Sequence, residues 1–148
     1  MEKQAIASLK LYQTKKAELE AVRLRILEDI SKTYDTGFVH YIPMEVGETI
    51  YLDEAKGWKS KLVERNNNRD VFDVHAKKGH WLSEHQHYQI ETIDVLSGSL
   101  RWWTRDEETL LHTGNRVIID KNLPHKGYSE EDLHIIVSFN PPLTKPRQ

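Results

Sequence analysis

The sequence predicts a mainly β protein, a small barrel of short strands preceded by one long N-terminal α-helix. Three observations predict it. From Gly37 onward, short runs alternating apolar and polar residues recur at close spacing, separated by turns rich in glycine, asparagine and proline. Before Gly37 there is no glycine or proline, and apolar residues fall three and four apart. Between Gly79 and Gly98, two histidines and a glutamate stand within seven residues, giving the barrel a polar group to enclose.

Residues 4 to about 34 read as the helix. Leu19, Val22, Ile26 and Ile30 form one stripe, flanked by Lys15, Lys16, Glu18, Glu20, Arg23, Arg25, Glu28 and Asp29. About thirty residues is long for a helix in a chain this size. The segment 1–36 is therefore read as a packing or oligomerisation element, with a homodimer expected, and 37–148 as the barrel domain. Residues 38–42 are aromatic and β-branched, with Pro43 and Gly47 behind them. Residues 49–52 suit a brief edge strand before a turn at 53–57. Residues 58–65 set Trp58, Ser60 and Leu62 against Lys59, Lys61 and Val63, which reads as a half-buried strand.

After a turn at 66–69, residues 71–76 return, with Phe72 and Val74 on one face and Asp73 and His75 on the other. Beyond Gly98, residues 100–104 carry Trp102 and Trp103; as neighbours they point to opposite faces, one lining the interior and the other outside. A polar turn at 105–108 and a return at 109–113 follow. Residues 117–119 read as a buried strand and 121–124 as a turn presenting His125. Residues 133–139 form a last apolar strand, closed by Asn140, Pro141 and Pro142.

Composition narrows the setting. A chain of 148 residues fits one domain, able to bury about 68% of its unfolded surface. Twenty-one basic and twenty-three acidic residues give a net charge of −2, spread along the chain. Neither nucleic-acid binding nor membrane attachment is expected. With no cysteine, any metal must be held by nitrogen and oxygen. The chain opens Met-Glu-Lys-Gln and has no apolar run of membrane-spanning length, so no signal peptide is read and a cytoplasmic location is expected.

The candidate site follows from strand geometry. On one strand His85 and His87 share a face, with Cα atoms about 6.6 Å apart. Four more extended residues would carry Glu91 about 13 Å beyond His87, too far for ligand bonds of about 2 Å. The chain must turn between Tyr88 and Ile90, so that Glu91 begins a second strand aimed at the same point. His125, fixed by the stiff Pro124–His125 step, has the setting to join them. His85, His87, Glu91 and His125 are thus read as ligands of one metal ion. Glu84, Gln89, Tyr128 and His75 are candidates to orient the rings from behind. His40, His80, His112 and His134 are read as surface or core residues.

Gly79, His85, His87, Glu91 and Gly98 satisfy the spacing Gly-x5-His-x-His-x3-Glu-x6-Gly at every position. This resembles the first signature of the cupin superfamily. The second signature places a histidine eleven residues after a glycine, as Gly114 and His125 do. It is otherwise degraded, with Asp120 in place of proline, Asn122 in place of glycine and Ser129 in place of asparagine. Asparagine accepts positive φ, so Asn122 can still make the turn.

The resemblance covers roughly residues 58 to 142. It implies a double-stranded β-helix, or jelly-roll barrel, around a mononuclear metal. Three imidazoles and one carboxylate suit Fe, Mn, Ni, Zn or Cu better than calcium. They leave two adjacent positions of an octahedral ion for a substrate. Two functions follow as expectations. The first is a metal-dependent dioxygenase-like or isomerase-like enzyme acting on a small polar molecule, with Glu91 able to detach and serve as the catalytic base. The second is a non-catalytic small-molecule-binding or protein-interaction module.

Overall fold

Alternation along the chain builds two facing sheets. The computed structural model describes residues 10–11, 38–105 and 107–147. Among the described residues the strands, in chain order, are β1 (Lys10–Leu11), β2 (Phe38–Val39), β3 (Ile42–Pro43), β4 (Thr49–Tyr51), β5 (Trp58–Arg65), β6 (Asp70–Ala76) and β7 (Trp81–His87). They continue as β8 (Ile90–Ser97), β9 (Ser99–Thr104), β10 (Glu107–His112), β11 (Arg116–Ile119), β12 (His125–Ser129), β13 (Leu133–Asn140) and β14 (Thr144–Lys145). One sheet runs β1-β4-β5-β6-β13-β8-β11, the other β10-β9-β12-β7-β2, and β14 pairs with β3 in a small parallel ribbon. From β6 to β13 the chain passes back and forth between the two large sheets. That is a jelly roll.

The core lies where the inner faces meet. Trp58, Leu62, Phe72, Val74, Ile93, Ile135 and Val137 from the larger sheet bury against Leu82, Leu100, Trp102 and Leu111 from the smaller. Each such side chain contributes about 1.5–3 kcal/mol by leaving water. The expected partition of β5 and β6 holds: Trp58, Ser60, Leu62, Phe72 and Val74 are buried, whereas Lys59, Lys61, Val63 and His75 are exposed and Asp73 half-buried. Trp102 is the tryptophan that faces inward, and Trp103 lies outside, stacked on Trp81 at 5.1 Å.

Three expectations change. Residues 117–119 are not uniformly buried, because β11 is the sheet's edge and alternation turns Ile118 outward, 65% exposed. Lys10 and Leu11, inside the span read as helix, form an edge strand paired with Tyr51 and Ile50; they satisfy backbone groups that β4 would otherwise leave open. The rest of the expected helix lies outside the described residues. The chain also continues beyond Pro142 into β14, whose pairing with β3 no local pattern announces. No helix among the described residues is long and apolar enough to cross a membrane.

The junction with β14 carries a pH-sensitive group. Asp70, wholly buried at the start of β6, accepts hydrogen bonds on Oδ2 from the backbone N–H and the hydroxyl of Thr144, each at 2.8 Å. Its Oδ1 has no partner among the described residues. Burial outweighs those bonds and pushes the carboxyl up to about 6. A folded pKa above the unfolded value of about 3.9 means that this stabilisation is complete below about pH 4 and is lost as pH rises through 6, for a total of about 3 kcal/mol. Asp70→Asn keeps an acceptor for Thr144 and cannot ionise. Between about pH 4 and pH 8, urea unfolding should show the variant gaining up to about 3 kcal/mol on the wild type. A constant difference across that range would mean that the carboxylate ionises normally in the fold.

Candidate metal centre

Both sheets contribute to one point near the end of the barrel. His85 and His87 come from β7 and His125 from β12, directly opposite His85, while Glu91 reaches across from β8 in the other sheet. The required turn falls at Tyr88 and Gln89, and β8 starts at Ile90. One device was not foreseen. Along the β7–β12 pairing, His125 faces His85 but Gly127 faces Leu82, so β7 spends an extra residue there. This β-bulge lets Leu82 and His85, three residues apart, both turn inward.

One donor atom from each of the four residues lies within 4.8 Å of the others. Glu91 Oε1 sits 2.9 Å from His87 Nε2 and 3.2 Å from His125 Nε2. Two donors about 2.1 Å from a shared ion and at right angles stand about 3 Å apart, so these spacings suit a common ion. His87, His125 and Glu91 are buried and His85 half-buried, which puts the open side at His85.

Backbone carbonyls decide the tautomers. His85 Nδ1 lies 2.8 Å from Ser83 O, His87 Nδ1 3.0 Å from Gln89 O, and His125 Nδ1 2.6 Å from Leu123 O. A carbonyl can only accept, so each Nδ1 carries its proton and donates. With Nδ1 so committed, it is Nε2 of each ring that faces the centre and is left to meet a proton or a metal ion there. The ring faces are held too: Phe139 meets His87 edge-on at 5.1 Å, and Trp102 stacks on His125 at 5.2 Å.

Charge makes the same demand. Burial pushes the Glu91 carboxyl up, but hydrogen bonds and charge from the His125 and His87 rings, when those carry a proton at Nε2, outweigh burial and hold it well below the usual carboxylate range. Burial, then the nearness of His125 and His87, holds the His85 ring well below the usual imidazole range, so it stays neutral. His125 Nε2, although 3.2 Å from Glu91, is buried without a hydrogen bond among the described residues. An anion facing several lone pairs needs a positive charge between them. One proton serves one pair; a metal ion serves all four donors.

The expected orienting residues fare unevenly. Gln89 acts through its backbone carbonyl, while its side-chain amide donates to Pro142 O at 3.3 Å. Tyr128 lies on the outer face against Trp81, and Glu84 is exposed. His75 is on the far side of the larger sheet beside His134. Asn122 does make the turn before His125, with φ of 59°, and its N–H donates to His87 O at 2.7 Å. A cavity of about 70 Å³ runs inward from the donors, walled by Val39, Leu82, Trp102, Phe139 and Leu143. It has room for a few water-sized groups.

Residues 72–139 match the family model described as a cupin domain. Among solved structures, KdgF from a Halomonas species is 21% identical with a TM-score of 0.56, over 65% of this chain and 86% of that one. An RmlC-like cupin from Shewanella frigidimarina is 18% identical with a TM-score of 0.56, over 60% and 80%. Ectoine synthase from P. lautus is 18% identical with a TM-score of 0.55, over 60% and 67%. At such identities the likeness carries the fold alone. No curated protein matches the sequence. The match lies on the strands that hold His85, His87, Glu91 and His125, so residues 72–139 of this chain are a cupin domain.

Proposed function

We propose that this cupin is a mononuclear metal enzyme of the oxygenase or isomerase kind, with His85, His87, Glu91 and His125 as ligands of an iron, manganese, nickel, zinc or copper ion. The carrying observation is the convergence of these four donors at one point, with His85, His87 and Glu91 lining one end of a mostly apolar cavity. When bound, such an ion supplies Lewis acidity and lowers the pKa of coordinated water. The protein's own part is simpler. The carbonyls of Ser83, Gln89 and Leu123 hold the rings in register. The apolar wall excludes water and takes up a substrate's hydrocarbon part, so polarity is wanted only where the substrate faces the donors. Glu91 is the one carboxylate among the described residues that lines the cavity, and it is the candidate base.

That the same fold serves an ectoine synthase supports a catalytic use, although fold alone does not select a reaction. A second reading, a binding module for a small molecule, draws on the absence from the described cavity lining of any acid or base besides the ligands. Residues 1–36 enter either reading as a packing or self-association segment.

Oxygen uptake by iron-loaded protein, offered diketones, thiols and phenols, separates the two. Turnover with one class, absent in His87→Ala, is the expected result. Metal-replete protein that consumes no oxygen and isomerises none of the panel, yet gains thermal stability with one member, would install the binding module instead.

A further inference from the structure

We propose a second divalent-metal site, on the outer face of the larger sheet, built from Asp73, His75 and His134. These residues lie on two neighbouring strands and none touches the barrel interior. Asp73 and His75 share the outward face of β6 by the period of two, and His134 stands directly opposite His75 on β13. Directly opposite residues on antiparallel strands hold their Cβ atoms about 4.5–5.5 Å apart, which brings two imidazoles within reach of one ion.

The side chains already gather there. The two rings stack with centroids 4.1 Å apart and planes 12° from parallel. The Asp73 carboxylate divides its oxygens between them, Oδ1 at 2.5 Å from His134 Nε2 and Oδ2 at 3.7 Å from His75 Nε2. One donor from each lies within 4.8 Å of the others. Two imidazoles and a carboxylate on one side of an ion form a three-donor cap suited to Zn²⁺, Ni²⁺ or Cu²⁺, with the remaining positions left to water. Coordination requires the stacked rings to tilt toward each other. His75, 52% exposed, is free to do so.

The surroundings set the strength. Lys59 faces His75 and Lys61 faces Asp73 across β5. On the other side Ser97 faces His134, and Asp94, already paired with Arg116, faces Ile136. Two nearby lysines repel a cation, and the donors meet bulk water, so this site is weaker than the interior one.

Equilibrium dialysis of the full chain against Zn²⁺ tests it. Wild type should take up two equivalents, and His87→Ala and His134→Ala one each. His87→Ala/His134→Ala should take up none. Replacing the exposed His75 by alanine should weaken the second equivalent by about tenfold or more and leave the first unchanged. Zinc should also raise the Tm of His87→Ala but not of His87→Ala/His134→Ala. A single wild-type equivalent that His87→Ala abolishes would overturn the second site. So would an extra equivalent that survives loss of both His75 and His134. A single equivalent lost in His134→Ala but kept in His87→Ala would instead overturn the interior assignment and leave the outer site standing.

Discussion

After dialysis into metal-free buffer, which empties the weaker outer site, His87→Ala should be a folded barrel with almost no metal, against about one ion per chain in the wild type. His87 is central because it combines three constraints. Its Nδ1 is committed to Gln89 O, its Nε2 lies 2.9 Å from Glu91, and its ring edge packs on Phe139. Removing the imidazole deletes a donor and releases Glu91 from the neighbour that fixes it. Loss of groups merely behind a ligand costs about 10–100-fold in metal affinity, so loss of a buried ligand should exceed 100-fold. Elemental analysis after dialysis reads the result, with circular dichroism as the check on folding. Gln89→Ala should keep its metal, because the orienting atom is a backbone carbonyl that alanine retains. A His87→Ala protein that still carries a full equivalent after that dialysis, and keeps it when His75 and His134 are changed as well, would place the metal elsewhere.

The contrast between those variants shows which parts of the site could be read from sequence. His85, His87 and Glu91 were legible because period-two alternation and the reach of an extended chain leave one solution, a turn between Tyr88 and Ile90. The carbonyls of Ser83, Gln89 and Leu123 were not, since every residue has one and only the fold decides where it points. The same limit applies to Tyr128, Glu84 and His75, whose side-chain types suit an orienting role but whose directions do not. Side-chain type indicates what can bond, whereas direction depends on parity, and the bulge in β7 shifts parity without a sequence mark.

For the fold, the inward sets of β5 and β6 followed from alternation along each strand, and β13 from its apolar run. Short edges did not. Ile118 looked buried because it sits in an apolar triplet, but the strand it belongs to has only one covered face. In sequence His134 reads as an ordinary histidine, because its partner Asp73 is 61 residues away in the chain and is brought near by the pairing of β13 with β6.

The motif glycines separate by what surrounds them, and Gly98→Ala should be far more damaging than Gly79→Ala. Gly79 and Gly98 both adopt φ of +87°, a left-handed conformation that costs an L residue about 1–2 kcal/mol. At Gly79 the cost ends there, since the nearest atom to an added Cβ is the Tyr128 hydroxyl at 3.7 Å. At Gly98 a Cβ would meet Asp132 O at 2.1 Å and the backbone of Leu133 at 3.0 Å. Those atoms begin β13, the strand paired with both β6 and β8, and cannot move without pulling the larger sheet apart. Overpacking of this kind adds about 1–3 kcal/mol or more. Gly98→Ala should therefore lose about 3 kcal/mol or more in urea unfolding, or fail to fold, against about 1 kcal/mol for Gly79→Ala. Asparagine tells the two causes apart, because it tolerates positive φ but still has a Cβ. Gly79→Asn should recover most of the alanine loss and Gly98→Asn none of it. Equal recovery at both positions would mean that dihedral preference alone, and not the approach of β13, keeps glycine at the end of β8.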